Sequence, residues 1–352
     1  MRRTAVASIA VATLALGLGS LADAQRPRAQ RGGAPPSRGP APTHADVSYA
    51  PAEPANSKGH LLDLYLPAHA TAPTPVVIWT GGSGWSADTG KERAEVFAAE
   101  LTKRGFAVAG VSIRSSAQVK FPGQLHDIKS AIRWLRSNSA RYNFDPNRIA
   151  IMGASSGGWT AAIAAVTGDV PEFEGAVGVT GVSSAVQAAV AFYPPTDFLA
   201  MDRAALRPCT ANAPQGPGAG LCHDAESSPE SRLIGCAIQS CPEKVELANP
   251  ARYVSDQDPP IMILHGESDP LVPHDQGELL YRALSEACRD AVFISLPPAG
   301  HGPAPQFLMN DALRAGATIR STNAAGCVVE SAKRYTPTWT TVVDFLRKSL
   351  GN

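Results

Sequence analysis

Short apolar segments alternate with helix-like segments along most of this chain, and this alternation restricts its fold more than any other feature. Strands that are buried on both faces of a sheet are short and apolar, with little alternation between apolar and polar residues. Six segments have this character: 76–79, 106–111, 148–152, 186–192, 261–264 and 292–296.

The segments between these strands have helical periodicity. In the clearest one, residues 124–140, the side chains of Ile128, Ile132 and Leu135 recur on one face of the helix. Helices are also predicted over 89–104, 157–167, 275–288 and 338–350. A chain in which strands and helices alternate folds into a mostly parallel sheet that helices cover on both faces. We therefore predict an α/β fold.

Three segments depart from this alternation. Residues 60–66 place leucine at every second position, which predicts an antiparallel strand at the start of the sheet. Residues 198–250 and 303–337 lack regular periodicity and contain five of the six cysteines. Long irregular segments in a compact domain usually cover or line a functional site. We expect both of them to be loops near a site, held in place by disulfides.

The N-terminal part differs in composition from the rest. Residues 1–24 have two arginines, a mostly apolar segment and the cleavage pattern Ala22-Asp23-Ala24, which together predict a secretory signal peptide. A membrane anchor is the alternative, but the apolar segment is short and glycines interrupt it. Residues 25–46 are rich in proline and arginine without apolar periodicity, so we predict a disordered linker. Residues 47–352 then form one large domain.

The cysteines fit a chain that is exported. An even number of cysteines in an exported protein indicates disulfides. Sequence order suggests three neighbouring pairs: Cys209–Cys222, Cys236–Cys241 and Cys288–Cys327. The cysteines have no C-x-x-C spacing and no accompanying histidine cluster, so a zinc site is not expected. We predict a secreted or periplasmic location.

Charge and hydropathy exclude two kinds of partner. The chain has 31 Lys and Arg against 31 Asp and Glu, and this zero net charge argues against nucleic-acid binding. Outside the N-terminus, no apolar segment is long enough to span a membrane. The oligomeric state is not indicated by the sequence.

The most informative motif is Gly153-Ala154-Ser155-Ser156-Gly157, which lies between the predicted strand 148–152 and the predicted helix 157–167. In this context a G-x-S-x-G pattern forms a tight turn that lifts the central serine hydroxyl above the sheet edge. The residues two before and two after it must be small because the turn is tight. Ser155 is therefore the candidate nucleophile, and we expect the backbone N–H of Ser156 to contribute beside it.

A serine nucleophile needs a general base, and His301 is the candidate among eight histidines. It lies in Gly300-His301-Gly302, on a loop directly after the last predicted strand. From such a loop an imidazole can reach over the sheet edge to the serine hydroxyl.

The third catalytic group should hold the imidazole in place and stabilise its charged form. Asp269 is the candidate because it follows the predicted strand 261–264 in a Ser-Asp-Pro turn. Asp197, which also follows a predicted strand, is the alternative acid, and Asp275 is a weaker one.

The segment Thr80-Gly81-Gly82-Ser83-Gly84-Trp85 follows the predicted strand 76–79. Glycines in such a loop let backbone N–H groups approach a substrate oxygen and form an oxyanion hole. We expect one donor to be Gly82 or Ser83 and the other to be Ser156. A phosphate-binding loop is not supported, because neither of the glycine-rich phosphate motifs occurs after a strand at the start of a βαβ unit.

Two tryptophans, Trp85 and Trp159, lie beside these motifs. They are candidates to line a pocket for an aromatic acyl group, and packing beneath the loops is the alternative for both.

These residues resemble the α/β-hydrolase superfamily and, within it, the secreted esterases of the bacterial feruloyl-esterase-like group, which are related to the hormone-sensitive-lipase type. The resemblance covers about residues 60–349, and its supporting segments are 80–85, 124–127, 131–136, 153–157, 231–235, 259–273 and 300–302. It implies an α/β-hydrolase domain over 47–352 and a Ser-Asp-His triad of Ser155, Asp269 and His301. It implies neither a metal nor an organic cofactor.

The chain departs from the family pattern at several positions. Thr80 stands where the family has the histidine of a His-Gly-Gly-Gly-Trp loop, and one extra residue precedes Trp85. Ser156 stands where the family usually has alanine. The cysteine-bearing stretches 209–241 and 288–327 are elaborations that we expect to shape the acyl or alcohol pocket.

The resulting hypothesis is a serine carboxylic ester hydrolase that forms an acyl-enzyme from small aromatic or acyl esters, of feruloyl or acetyl type, free or attached to a polymer. A serine peptidase of the prolyl-oligopeptidase type shares the fold and the triad but carries a large N-terminal β-propeller, whereas only a linker and a short strand region precede the domain here. A catalytically inactive binding module is the third hypothesis, and the presence of all three triad residue types argues against it.

Overall fold

The computed structural model describes residues 39–168, 170–209 and 221–351. The predicted signal peptide and residues 25–38 of the predicted linker lie outside them. Within the described residues, ten strands form one sheet. Their bounds are β1 His44–Ser48, β2 Leu61–Tyr65, β3 Thr74–Thr80, β4 Ala107–Val111, β5 Phe144–Ala154, β6 Ala188–Phe192, β7 Ile261–Gly266, β8 Ala291–Leu296, β9 Thr318–Asn323 and β10 Val328–Arg334.

The helices lie between and beside these strands. Their bounds are α1 Ala94–Leu101, α2 Gly123–Ser137, α3 Ser139–Tyr142, α4 Ser156–Val166, α5 Pro171–Glu174, α6 Met201–Ala204, α7 Pro229–Ile234, α8 Pro242–Glu246, α9 Asp275–Glu286, α10 Asp311–Arg314 and α11 Trp339–Leu350. Among the described residues, none of these helices has the length and apolar character needed to cross a membrane.

The strand order is β1-β2-β4-β3-β5-β6-β7-β8-β9-β10. The six strands from β3 to β8 are parallel to one another, and they correspond to the six apolar segments. β2 pairs antiparallel with β4, as the alternation of its leucines predicted. β1, β9 and β10 add antiparallel strands at the two edges. The predicted α/β fold with a mostly parallel sheet is therefore confirmed.

Both faces of the sheet are covered. Alternate residues of β3 point to opposite faces, so Val76 belongs to one apolar core and Val77 to the other. Helices α2, α4 and α9 pack on the first face, whereas α1 and α11 pack on the second. A strand that is buried on both sides needs apolar residues at every position, which explains why these segments are continuously apolar.

Two expectations need correction. Residues 303–337 are not solely a loop excursion, because β9 and β10 form a hairpin that extends the sheet edge. The sequences of β9 and β10 are mostly polar, and β10 is exposed along its whole length. The continuous apolar pattern of a buried strand is therefore missing from this part of the chain. The predicted linker 25–46 also extends too far, since β1 begins at His44 and pairs with β2.

The cysteines form three disulfides: Cys209–Cys222, Cys236–Cys241 and Cys288–Cys327. These are the pairs suggested by sequence order. The first two lie in the irregular stretch 198–250, and the third joins the end of α9 to the turn between β9 and β10.

The parallel strands bring five chain segments together. The carboxyl ends of parallel strands meet at one edge of a sheet, where α/β proteins usually place their ligands. At this edge lie the segment 80–85 after β3, Ser155 after β5, Tyr193 after β6, Asp269 shortly after β7 and His301 shortly after β8.

Candidate active site

The turn between β5 and α4 holds Ser155 in a strained conformation. Its backbone has φ 58° and ψ −127°, and α4 begins at the next residue. A Cβ atom on Gly153 would collide with the Gly157 carbonyl, and a Cβ atom on Gly157 would collide with the Thr80 carbonyl. Glycine is therefore required at both positions, as the predicted elbow demands.

His301 lies between Ser155 and Asp269. Its Nε2 is 3.0 Å from the Ser155 Oγ, so the hydroxyl can donate its proton to the imidazole. Its Nδ1 is 2.8 Å from Asp269 Oδ2 and 3.1 Å from Oδ1. The structure thus brings together three side chains from distant parts of the chain at hydrogen-bond distance.

The loop that carries Asp269 keeps its carboxylate ionised and oriented. The backbone N–H groups of Leu271 and Val272 both donate to Oδ1 at 2.9 Å. Asp269 is 1 % exposed. Burial alone raises the pKa of Asp269, but the hydrogen bonds and the charge of His301 outweigh it and lower the pKa overall.

His265 also stabilises the loop that carries Asp269. It is fully buried, and its Nε2 is 3.0 Å from the Val272 carbonyl oxygen. Burial lowers the pKa of His265 to about 4, so this imidazole is neutral and donates to that carbonyl.

The two alternative acids lie elsewhere. The Asp197 carboxylate accepts a hydrogen bond from the Leu199 N–H at 3.1 Å and caps a short helical turn. Asp275 lies in the first turn of α9. In the part of the chain that the structure describes, Asp269 is the one of the three candidate acids that contacts the His301 ring.

The glycine-rich segment 80–85 packs directly against the nucleophile. A Cβ atom on Gly82 would lie 2.6 Å from the Ser155 Cβ and 3.1 Å from the Ser156 nitrogen, so the backbone of Gly82 and that of Ser156 lie close together. The Ser83 N–H is already engaged, because it donates to the Ser156 Oγ at 3.0 Å. Within the described residues, the N–H groups of Gly82 and Ser156 have no hydrogen-bond acceptor.

The Ser156 hydroxyl therefore joins α4 to the segment 80–85. Besides the bond from Ser83, it accepts a longer one of 3.4 Å from the N–H of Trp85. From the sequence, we predicted a function for the backbone N–H of Ser156. The sequence did not indicate this contact of its side chain.

A cavity of about 500 Å³ opens beside Ser155 and His301. Its wall is mostly apolar, with Trp85, Leu271 and Val272 among the lining residues. Residues of the irregular stretch 198–250 complete it, as expected for a segment near the site: Leu221, His223, Pro229 and Glu230.

The expectation that Trp159 lines the pocket needs correction. It is fully buried and absent from the lining of this cavity among the described residues. Its indole N–H donates to the Ala248 carbonyl at 2.7 Å, and its ring packs edge-on against Trp85 at 5.4 Å. Every residue of α4 is buried, so position 159 lies in the core, where Trp159 packs against Trp85.

The sequence did not single out Tyr193. Its ring lies 4.6 Å from that of His301, and it lines the cavity. Burial raises the pKa of Tyr193 well above its usual range, so its hydroxyl remains protonated. Its place directly after the fourth apolar segment is the signal that could have identified it.

Comparison with known proteins agrees with this architecture. The model of the BD-FAE family matches residues 62–284, which is more than half of the chain. The chain belongs to the BD-FAE family. This assignment confirms the resemblance to α/β-hydrolase esterases. The matched BD-FAE region includes Ser155 and Asp269 and ends before His301, so the position of His301 rests on the geometry described above.

Several relatives of this BD-FAE chain are named as esterases. It is 29 % identical over 292 residues to Esterase LipQ of Mycobacterium tuberculosis, a match over 81 % of this chain and 60 % of LipQ. Esterase LipC of the same organism is 27 % identical over 71 % of this chain and 57 % of LipC. The chain thus spans about 60 % of the length of these curated relatives.

Solved structures of other proteins are also similar to this chain. A truncated carbohydrate esterase from gut microbiota is 32 % identical, with a TM-score of 0.70 over 90 % of this chain and 100 % of that one. A bifunctional GH43-CE protein of Bacteroides eggerthii is 31 % identical, with a TM-score of 0.68 over 87 % of this chain and 38 % of that one.

Proposed function

We propose that this BD-FAE protein is a serine carboxylic ester hydrolase with Ser155 as nucleophile, His301 as general base and Asp269 as the acid that orients the imidazole. The observation that carries the proposal is the pair of contacts made by His301, 3.0 Å to the Ser155 hydroxyl and 2.8 Å to the Asp269 carboxylate. Relatives and structural neighbours that are named as esterases support the same reaction class.

In the first half of the reaction, the Ser155 Oγ attacks the ester carbonyl while His301 Nε2 takes its proton. Asp269 stabilises the imidazolium that forms, which its lowered pKa permits because the carboxylate stays ionised. When the tetrahedral intermediate collapses, the bond to the alcohol oxygen breaks and His301 gives its proton to that oxygen. The alcohol leaves, and the acyl group remains on Ser155.

In the second half, His301 takes a proton from a water molecule, whose oxygen attacks the acyl-enzyme. Collapse of this second intermediate releases the carboxylic acid and returns the proton to Ser155. The product is one acid and one alcohol for each water consumed.

The negative oxygen of each intermediate is stabilised by backbone N–H groups. Gly82 and Ser83 are the two alternatives for the first donor. We assign this donor to Gly82, since the Ser83 N–H is occupied by the Ser156 hydroxyl. The second donor is the N–H of Ser156, which lies at the N-terminus of α4, where the helix dipole also favours negative charge.

The cavity supports the proposed substrate class. A mostly apolar wall with Trp85 fits a small acyl ester of the acetyl or feruloyl type. The structural neighbour at 32 % identity is named as a carbohydrate esterase, which supports an ester attached to a carbohydrate. An oxidising, extracytoplasmic location is consistent with the three disulfides.

The test of the proposal is the Ser155→Ala variant, assayed with p-nitrophenyl acetate and labelled with a fluorophosphonate probe. We expect the turnover to fall by at least about 10³-fold, because without the nucleophile only the oxyanion hole and binding remain. We also expect the covalent label to disappear.

The urea unfolding midpoint of the variant should stay close to that of the wild type, which shows that the loss is chemical. Turnover or labelling at the wild-type level in the Ser155→Ala protein would overturn the assignment of the nucleophile.

A further inference from the structure

Tyr193 packs against His301 but has no function in the reaction described above. It directly follows β6 and is 4 % exposed. The centroid of its ring lies 4.6 Å from that of the His301 imidazole, and the two ring planes are tilted by 58°. Within the described residues, Tyr193 is the aromatic residue that packs on this imidazole. A residue in contact with the proposed general base can affect the proton transfers that this base carries out.

The backbone of Tyr193 has an unfavourable conformation. Its φ is 39°, in the left-handed region that residues with large side chains rarely adopt. Pro194 follows, and a residue before proline favours an extended conformation instead. The Tyr193 N–H donates to the Leu264 carbonyl of β7 at 2.7 Å, so the sheet holds the residue in this conformation. Strained residues that the surrounding structure holds in place cluster at functional sites.

Backbone hydrogen bonds also connect Tyr193 with the segments that carry the other two triad residues. The preceding carbonyl, that of Phe192, accepts from the Ser155 N–H at 3.0 Å. The bond from Tyr193 to β7 connects it with the strand that leads to Asp269. The Tyr193 ring therefore starts from a fixed point relative to the nucleophile and to the acid.

The loop that carries His301 has little stiffness of its own. Gly300 and Gly302 flank the histidine, and glycine restricts the backbone less than any other residue. The His301 side chain is 18 % exposed, so the core does not enclose it. Its hydrogen bonds at Nε2 and Nδ1 fix the two ends of the imidazole, but not the tilt of the ring about the line between these nitrogens. The contact with the Tyr193 ring limits this tilt.

The Tyr193 hydroxyl lies against the same loop. A Cβ atom on Gly302 would be 2.8 Å from the Tyr193 Oη and 3.4 Å from its Cζ. The backbone N–H of Ala304 also approaches the hydroxyl oxygen. Phe307, which follows in the chain, packs against the Tyr193 ring at 5.4 Å between centroids. Tyr193 thus contacts the chain at four positions between 301 and 307, and these contacts hold the loop against the sheet edge.

We propose that Tyr193 is a positioning residue for His301, whose ring holds the imidazole in line with Ser155 and Asp269. It acts through His301 in both halves of the reaction and takes no proton itself. Proton transfer requires hydrogen-bond reach, and a displacement of about 1 Å can cost a factor of about 100 in rate. This inference rests on the proposed ester hydrolysis, to which it adds a residue that orients the general base.

The test compares two variants with p-nitrophenyl acetate as substrate. For Tyr193→Leu we expect kcat to fall by about 10- to 100-fold, because the imidazole loses the ring that limits its tilt. KM should change less than about two-fold, since an oriented base acts on the transition state. Tyr193→Phe keeps the ring and should retain kcat within about three-fold of the wild type.

Tyr142→Leu is the matched control, because Tyr142 is also buried but lies before the amino end of β5, away from the carboxyl edge. It should lower the urea midpoint and leave kcat within about two-fold of the wild type. A rise in KM with unchanged kcat in Tyr193→Leu would show that Tyr193 binds substrate instead, and would overturn the proposal. Equal losses of kcat in Tyr193→Leu and Tyr193→Phe would also overturn it, because the ring would then be irrelevant.

A second pair of variants decides the matter even when Tyr193→Leu does not fold. Gly302→Ala brings a methyl group against the Tyr193 hydroxyl, so we expect kcat to fall about ten-fold. Adding Tyr193→Phe removes the oxygen in this collision and should restore kcat about three-fold. The left-handed backbone at position 302 strains alanine in both proteins, so the comparison isolates the contact. A double variant no faster than Gly302→Ala would contradict the proposal.

Crystal structures separate this inference from the proposed reaction. In Tyr193→Leu, or in Gly302→Ala where the first variant does not fold, the distance from His301 Nε2 to the Ser155 Oγ should exceed about 3.5 Å. A displaced imidazole supports the positioning function even when the wild type hydrolyses no ester, an outcome that would refute only the proposed reaction. An imidazole that keeps its 3.0 Å contact with Ser155 would refute the positioning function.

Discussion

The contact between the Ser156 hydroxyl and the segment 80–85 leads to a quantitative prediction. The Ser156→Ala variant keeps the backbone N–H at position 156 and removes only the hydroxyl that accepts from Ser83 and Trp85. The effect of the variant therefore measures how far the proposed oxyanion hole depends on a side chain that links the loop to α4.

The magnitude follows from the two bonds. The 3.0 Å bond from Ser83, an exposed residue whose N–H can rebind water, contributes about 1 kcal/mol. The N–H of Trp85, a residue that is 4 % exposed, makes the longer bond and loses its acceptor, which adds about 1 kcal/mol. We expect the free energy of unfolding to fall by about 2 kcal/mol.

The same energy sets an upper bound on the catalytic effect. Since about 1.36 kcal/mol corresponds to a ten-fold change in rate, 2 kcal/mol corresponds to about 30-fold. The bond from the Gly81 N–H to the Gly90 carbonyl still holds the loop at 2.7 Å. We therefore expect kcat to fall by about 3- to 30-fold while KM changes less than about two-fold, because the oxyanion hole acts on the transition state.

Urea unfolding and initial rates with p-nitrophenyl acetate measure the two effects. Ser86→Ala is the matched control, because its hydroxyl donates to the Ser83 carbonyl within the same loop and does not reach α4. Unchanged stability and kcat in Ser156→Ala would refute the reasoning. A higher kcat would show that the released Ser83 N–H is the better donor and would overturn the assignment of Gly82.

Two further predictions concern a buried charge cluster on the first face of the sheet. Asp127 is fully buried and accepts from Arg114 and His60, so Asp127→Ala should lower the free energy of unfolding by about 3–5 kcal/mol in urea titrations; a loss below about 1 kcal/mol would contradict this. Burial lowers the pKa of His60, but the hydrogen bond to Asp127 and the Pro51 carbonyl raise it overall. The stabilisation is therefore present below about pH 6.5 and is lost as the pH rises through the folded-state pKa. His60→Gln should weaken the decrease in urea midpoint between pH 6 and 9, and an unaltered decrease would refute the link.

Sequence patterns predicted the central part of the fold because burial on both faces leaves a continuous apolar signal. Each of the six apolar segments is a parallel strand. The edge strands are different. β10 is exposed throughout and contains Glu330, Lys333 and Arg334, so its polar sequence is typical of a loop. Its strand structure depends on pairing with β9, a contact that periodicity does not encode.

In the candidate site, too, local features could be predicted from the sequence and contacts between distant segments could not. Motifs with a local steric requirement were predictable, since the glycines around Ser155 leave room for one turn geometry. Contacts between distant segments were not. The bond from Ser83 to Ser156 joins positions 73 residues apart and decides which loop N–H is free. The direction of the Trp159 side chain depends on how α4 packs. The closeness of Trp159 to the Ser155 motif in the sequence was therefore a misleading sign that it lines the pocket.

The contact between His223 and Glu230, 3.1 Å from Nδ1 to Oε2, could not be predicted from either kind of signal. His223 comes from an irregular segment after a disulfide, and Glu230 from the first turn of a short helix. Neither segment has periodicity, and the folded chain is needed to show that both residues line the cavity beside Ser155.

The order of the central strands has a consequence for refolding. Ser155 follows β5, whereas Asp269 and His301 follow β7 and β8, and β6 pairs with both β5 and β7. The proposed ester turnover thus becomes possible only after β6 has joined the two halves of the chain. Such contacts between remote segments form slowly. The return of activity during refolding would consequently show that the middle of the sheet has formed. The circular-dichroism signal of the helices can return earlier.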